Sequence, residues 1–216
     1  MNKRSKIFDI TVPLKQGIPI WPNSPGFSRT WIQNIHKVGD ASVSQLSIES
    51  HTATHIDAPA HFVKNGTTIE SIPLETLVGD AVVIEIKGVK RITSEHLMAA
   101  NIPLTTQRLL IKTDNDRYWN NEVHPFKQDF AALTKDAAHW LVNQKILLVG
   151  IDYLSIQIFT DQPDTHLILL NNNVIILETI NLSKIVPGKY ELYCMPLLVV
   201  GAEAAPARVI LKSIDE

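Results

Sequence analysis

The chain has 216 residues, enough for one domain with a sizeable buried core and too many for a scaffold that depends on disulfides. Twenty basic against twenty-two acidic side chains leave a net charge of -2, which provides no global field for a nucleic acid backbone or an anionic membrane. A composition of 45% hydrophobic and 19% charged residues belongs to a folded chain rather than a disordered one.

The single cysteine, Cys194, excludes an intrachain disulfide and a zinc ribbon and points to a reducing, cytoplasmic setting. The start, Met1 to Lys6, is basic like the head of an export signal. Asp9, Pro13 and Lys15 interrupt the apolar core such a signal needs, so none is expected. No apolar run reaches the ~18 residues of a membrane span.

In chain order, short apolar and β-branched runs predict strands at 7–14, 31–35, 43–48 and 81–86. A short helix from Ser94 to Ala100, capped by Thr93 or Ser94, precedes a strand at 109–113. A second helix has Thr134 as its N-cap and Ala137, Trp140, Leu141 and Gln144 at helical spacing. After a strand at 146–151, a third helix begins near Asp164 and Thr165. It stops in Asn171-Asn172-Asn173, residues that tolerate the left-handed conformation of helix ends. Strands at 174–177, 192–200 and 208–211 complete the chain. Prolines and glycines are scattered and no repeat or linker appears, so residues 1–216 read as one α/β domain with mixed sheets and few helices. Neither a G-x-G-x-x-G nor a P-loop pattern is present, which removes dinucleotide and P-loop chemistry.

Eleven residues carry the chemistry: His51-Thr52-Ala53-Thr54-His55-Ile56-Asp57-Ala58-Pro59-Ala60-His61. If the strand at 43–48 continues extended, positions 51, 55, 57 and 61 project to one side and bring three histidines and a carboxylate together. The β-branched Thr52, Thr54 and Ile56, with Pro59, disfavour a helical site. Imidazole and carboxylate suit a divalent cation, and a site with few protein ligands keeps a position open for water. Solvent-facing histidines would explain any one of these residues but explain four donors in register poorly. His166, at the start of the third helix, and Glu178, ending an apolar strand, are further candidates. His36, His96, His124 and His139 lack such company and read as surface or packing residues, and Cys194 reads as a buried thiol.

At His51 to His61 the chain resembles the cyclase family of metal-dependent hydrolases, whose best-known members are bacterial kynurenine formamidases and isatin hydrolases. The family signature runs H-x-G-[TA]-H-x-D-x-P-x-H, and every ligand-type position is matched. Trp21-Pro22, Val149 to Asp152 with Ser155, and Gly201 to Arg208 look like three further family elements. The resemblance implies a swivelling β/β/α architecture and a homodimer or homotetramer. It implies that His51, His55 and Asp57 bind a first metal, zinc or manganese. Asp57 and Glu178 would bridge to a second ion where one is present, His166 would complete that site, and His61 would be the acid/base.

The implied reaction is hydrolysis of an amide C–N bond by a metal-generated hydroxide. The substrate would be an aryl formamide such as N-formylkynurenine, a compound of tryptophan catabolism, with Trp21 stacking on its ring. A cyclic amide such as an isatin-like lactam is the alternative substrate. A non-catalytic metal-binding or small-molecule-binding domain is the alternative class, against which His61 argues. Ala53 stands at the signature glycine. Asn23-Ser24 and Tyr153-Leu154 replace residues typical of formamidases, so altered substrate walls are expected.

Overall fold

The computed structural model describes residues 5–119 and 125–214; the first four residues of the basic start, and His124, lie outside them. Strand β1 (Ile7–Asp9) precedes a long hairpin of β2 (Phe27–Asn34) and β3 (Val38–Ile48), which forms a two-stranded sheet of its own. There follow β4 (His55–Asp57), the one-turn helix α1 (Leu74–Leu77), β5 (Val78–Glu85), β6 (Arg91–Ile92), α2 (Ser94–Ala99) and β7 (Arg108–Lys112). The second half holds β8 (Ala132–Leu133), α3 (Lys135–Asn143), β9 (Leu148–Ile151), α4 (Asp164–Asn171), β10 (Ile175–Glu178), β11 (Gly188–Pro196) and β12 (Ala204–Ser213).

The main sheet runs β1-β12-β11-β5-β7-β9-β10-β4, and β4 also pairs with β12. Seven strands therefore close on themselves, with β1 attached to β12 outside the ring. Strands β5, β7, β9 and β10 are mutually parallel and the other pairings are antiparallel, giving the mixed α/β architecture with few helices that the sequence leads one to expect. The apolar runs follow from burial on both faces. In β7, Leu110 joins the core inside the ring with Ile10, Ile56 and Leu177. Its neighbours Leu109 and Ile111 join an outer core with Ala137, Leu141 and Leu169 of the helices. The inside is tight: a Cβ on Gly150 would stand 2.5 Å from Leu110 Cδ2.

The helices begin and end where their caps place them. Thr134 and Thr93 are the N-caps of α3 and α2, and the Thr93 N–H donates to His96 Nδ1 in a capping box. Asn173, just past α4, is left-handed at φ 55°. The strand expected at 192–200 stops earlier, at Pro196. Proline has no N–H for the ladder, and the chain must reverse through the left-handed Gly201 to return as β12. Leu197 to Val200 are consequently exposed rather than buried. Among the described residues no helix is long and apolar enough to cross a membrane.

Candidate metal centre

Closure of the ring assembles the site. Strand β4 is held between β10 and β12, so His55 lies opposite Glu178 and Asp57 lies opposite Ala204. Two residues apart on one strand, His55 and Asp57 point to the same side, as alternation requires. The continuous extended course expected up to His61 is not what forms. β3 ends at Ile48, the chain turns through residues 49–54, and Pro59–His61 make a single 3-10 turn. His51 and His61 therefore reach the centre from turns on either side of β4. Ala53 makes the first turn possible in the left-handed conformation, φ 59°, at the position where the family signature has glycine. Thr179, directly after Glu178, is left-handed too (φ 59°), unusual for a β-branched residue. The Thr54 hydroxyl donates to the Thr179 carbonyl and ties the two strained segments together.

All six histidine and carboxylate candidates converge. Asp57 Oδ1 lies 2.9 Å from His51 Nδ1 and 3.4 Å from His55 Nε2, and Asp57 Oδ2 lies 3.9 Å from His166 Nε2. Glu178 lies 3.5 Å from His55 Nε2 and 3.3 Å from His166 Nε2. The His61 ring is 4.1 Å from that of His51 and 5.9 Å from that of His166. Despite this crowding, His55 Nε2 and both Asp57 oxygens have no hydrogen-bond partner although they are buried. Nitrogen and oxygen atoms that converge without hydrogen bonds between them suit a shared cation that takes the place of the histidine proton. His51, Asp57 and His61, and separately His55, Asp57 and Glu178, each offer atoms within 4.8 Å of one another.

The rings are oriented from outside the cluster. His55 Nδ1 donates to the Ala53 carbonyl at 2.8 Å, which aims Nε2 at the carboxylates. Gln157 Oε1 lies 3.3 Å from His166 Nδ1, Phe62 stacks on the His166 ring at 4.6 Å, and the Ile156 N–H donates to Glu178 Oε1 at 2.7 Å. Burial opposes charge on His55, but the close Asp57 and Glu178 carboxylates, 3.4 and 3.5 Å from Nε2, outweigh it and raise its pKa to about 10. His51 is raised for the same reason by Asp57 against its burial. Burial alone would raise Asp57, yet the His51 and His55 contacts and the His61 charge hold it well below the usual carboxylate range. Glu178, opposed by burial and by Asp57, is lowered by His166 and His55. His61 differs: burial dominates and keeps it below 6.5.

Among the described residues, the ring contacts of Trp21 are with aromatic side chains outside this cluster. Trp21 is 39% exposed and packs edge-on against Phe126 and at a tilt against Phe159, two residues beyond Gln157. Tyr153, expected to alter a substrate wall, is fully buried, and its hydroxyl accepts the Lys127 N–H at 2.9 Å. Its ring belongs to the outer core, packed on Phe130 at 4.8 Å. Leu154 packs against that same core, and Asn23 is an exposed left-handed turn residue. Cys194 is fully buried as expected, and its thiol is pushed up to about 12 by that burial. Sequence reasoning missed Gln157, Phe62 and Glu203, whose Oε1 lies 3.4 Å from His51 Nε2. Phe62 directly follows the signature and Glu203 lies in the closing element, but neither spacing reveals a contact.

The profile of the family described as "Putative cyclase" matches residues 8–157. The chain belongs to the cyclase family. Cyclase-like protein 1 of Arabidopsis thaliana is 36% identical over 95% of this chain and 84% of its own length. The kynurenine formamidase of Paracidovorax citrulli (strain AAC00-1) is 30% identical over 99% of both. The solved structure of a predicted metal-dependent hydrolase from Bacillus stearothermophilus superposes with a TM-score of 0.83. It is 36% identical and covers 97% of this chain and 99% of its own. The family signature thus stands on the same turn, strand and turn that build the centre.

Proposed function

We propose that this cyclase-family chain is a metal-dependent hydrolase of non-peptide amide C–N bonds, with aryl formamides of the N-formylkynurenine type as its substrates. The observation that carries the reading is the set of buried, unpartnered donor atoms on His55 and Asp57 inside a ring of further histidine and carboxylate ligands. The formamidase relative supplies the substrate class.

His51, His55 and Asp57 would hold one divalent cation, and His166 and Glu178, sharing Asp57, a second. Oδ1 of Asp57 faces the first pair of histidines and Oδ2 faces His166, which supports that division. The mixed nitrogen and oxygen donor set favours zinc or manganese. When bound, the cation supplies Lewis acidity and lowers the pKa of a water toward ~7. The chain's own groups do the rest. The imidazole of His61 is neutral near pH 7 because its burial disfavours charge, so a ring nitrogen accepts a proton from the attacking water and returns it to the departing amine. Amide and water are consumed, and carboxylate and amine are formed. The Ala53 carbonyl and Gln157 hold the His55 and His166 rings, and Phe62 covers one face of His166. Trp21 is the aromatic platform proposed for the substrate ring, at the edge of the loop that carries Gln157.

A second copy of the chain is proposed to cover the β2–β3 hairpin. Trp31, Ile32, Ile35 and Leu46 are all about half exposed or more on it, and an isolated hairpin is marginal in water. The activity is tested by assaying metal-loaded and chelated protein on aryl formamides and on cyclic amides. Formamide cleavage should disappear with chelation and return with zinc or manganese. Loaded protein that cleaves no member of either class would overturn the reading.

A further inference from the structure

We infer that Glu203 is a positioning residue that holds His51 in its ligating orientation, an inference that rests on the reading of His51 as a metal ligand. His51 lies in a turn rather than on a strand, so no ladder fixes its ring. Its two nitrogens face two carboxylates: Nδ1 lies 2.9 Å from Asp57 Oδ1, and Nε2 lies 3.4 Å from Glu203 Oε1. That same Glu203 oxygen accepts the hydroxyl of Ser50, the residue before His51, at 2.6 Å. Glu203 is in turn anchored to the ligand strand, because its backbone carbonyl accepts the Ala58 N–H at 2.8 Å and the next residue, Ala204, pairs with Asp57. The seam that closes the ring therefore delivers a carboxylate to the outer side of His51.

A ligating imidazole donates its second N–H to an outer acceptor, which fixes both tautomer and ring direction. Glu203 is placed to be that acceptor, leaving Nδ1 for the cation beside Asp57. It stands at the rim with its side chain 42% exposed, so removing it opens no core cavity. Its effect is expected on metal binding and not on folding.

The test measures zinc affinity by competition with a chromophoric chelator, alongside the melting temperature of metal-free protein, for wild type, Glu203→Ala, Glu203→Gln and His51→Ala. Glu203→Ala should weaken zinc binding about 10- to 100-fold with the metal-free melting temperature unchanged. Glu203→Gln keeps an oxygen that accepts the same two hydrogens and should stay within about threefold of wild type. If Glu203→Ala binds zinc like wild type while His51→Ala does not, the positioning role is wrong and the metal centre stands. If Glu203→Gln loses as much as Glu203→Ala, the charge matters and not the orientation, and the inference also fails. If His51→Ala itself binds zinc normally, the underlying reading of the centre fails.

Discussion

Replacing His61 with alanine separates proton transfer from metal binding. No hydrogen bond or ion pair joins the His61 side chain to another side chain among the described residues; its contacts are the rings of His51, Phe62 and His166 at 4.1, 4.4 and 5.9 Å. Deletion therefore leaves no buried partner unsatisfied, and the stability cost should be about 1 kcal/mol, a melting shift of about 2–4 °C. Loss of a general acid/base raises the barrier by about 3–5 kcal/mol, a drop in kcat of about 10²- to 10⁴-fold. Zinc affinity should stay within about threefold of wild type, since no first-sphere or outer donor is removed. The parallel variant His51→Ala loses a nitrogen 2.9 Å from Asp57 and should lose zinc and activity together. The assay is kcat on an aryl formamide and bound zinc, both measured on the same preparations. If His61→Ala loses zinc in proportion to activity, His61 is a ligand with His51 and Asp57, a grouping its position also permits. If it keeps full activity, His166 becomes the next residue to test as the proton carrier.

The remaining expectations concern pH, stability and substrate contact. In the metal-free protein His55 titrates near 10 rather than 6.5, so the stability it contributes is complete below about 6.5 and is lost as pH rises toward 10. Chelated protein should thus melt lower at pH 9 than at pH 6.5. Zinc affinity should climb over the same range by up to about tenfold per pH unit, because the cation displaces that proton; a flat profile would contradict the assignment. Asp152 is buried, and its carboxylate accepts the Thr113 N–H at 2.6 Å and the Thr113 hydroxyl at 2.7 Å. Asp152→Asn turns an amide N–H toward one of these donors and should cost about 1–3 kcal/mol, so an unchanged denaturation midpoint would refute it. Trp21→Ala should raise KM for an aryl formamide about 2- to 12-fold, the worth of one aromatic contact of about 0.5–1.5 kcal/mol, while leaving kcat alone. A fall in kcat with constant KM would remove Trp21 from the substrate platform.

Most of the fold, and the cluster of candidate ligands, was legible because both are written in local pattern. Alternation placed His55 and Asp57 on one side of a strand. Apolar runs marked strands buried on both faces, and Thr93, Thr134 and Asn173 marked helix boundaries. The route by which His51 and His61 arrive was not legible, since parity presumes an unbroken strand and here left-handed Ala53 and Pro59 turn the chain on both sides of β4. Tyr153 looked like a wall residue because nothing in its neighbours announces that Phe130, 4.8 Å away, shares the same core. Glu203 was invisible for a related reason: it meets Ser50 across 153 residues through the closure of the ring, and single-sequence pattern contains no register between distant strands.

The central claim is that the buried donors around Asp57 exist to hold a divalent cation, and elemental analysis of protein purified without chelators tests it most directly. Wild type should carry one or two zinc or manganese ions per chain, and Asp57→Asn, which keeps the shape but removes the shared carboxylate, should carry almost none while remaining folded. Wild-type protein free of metal, hydrolysing an aryl formamide undiminished by a chelator, would contradict the account.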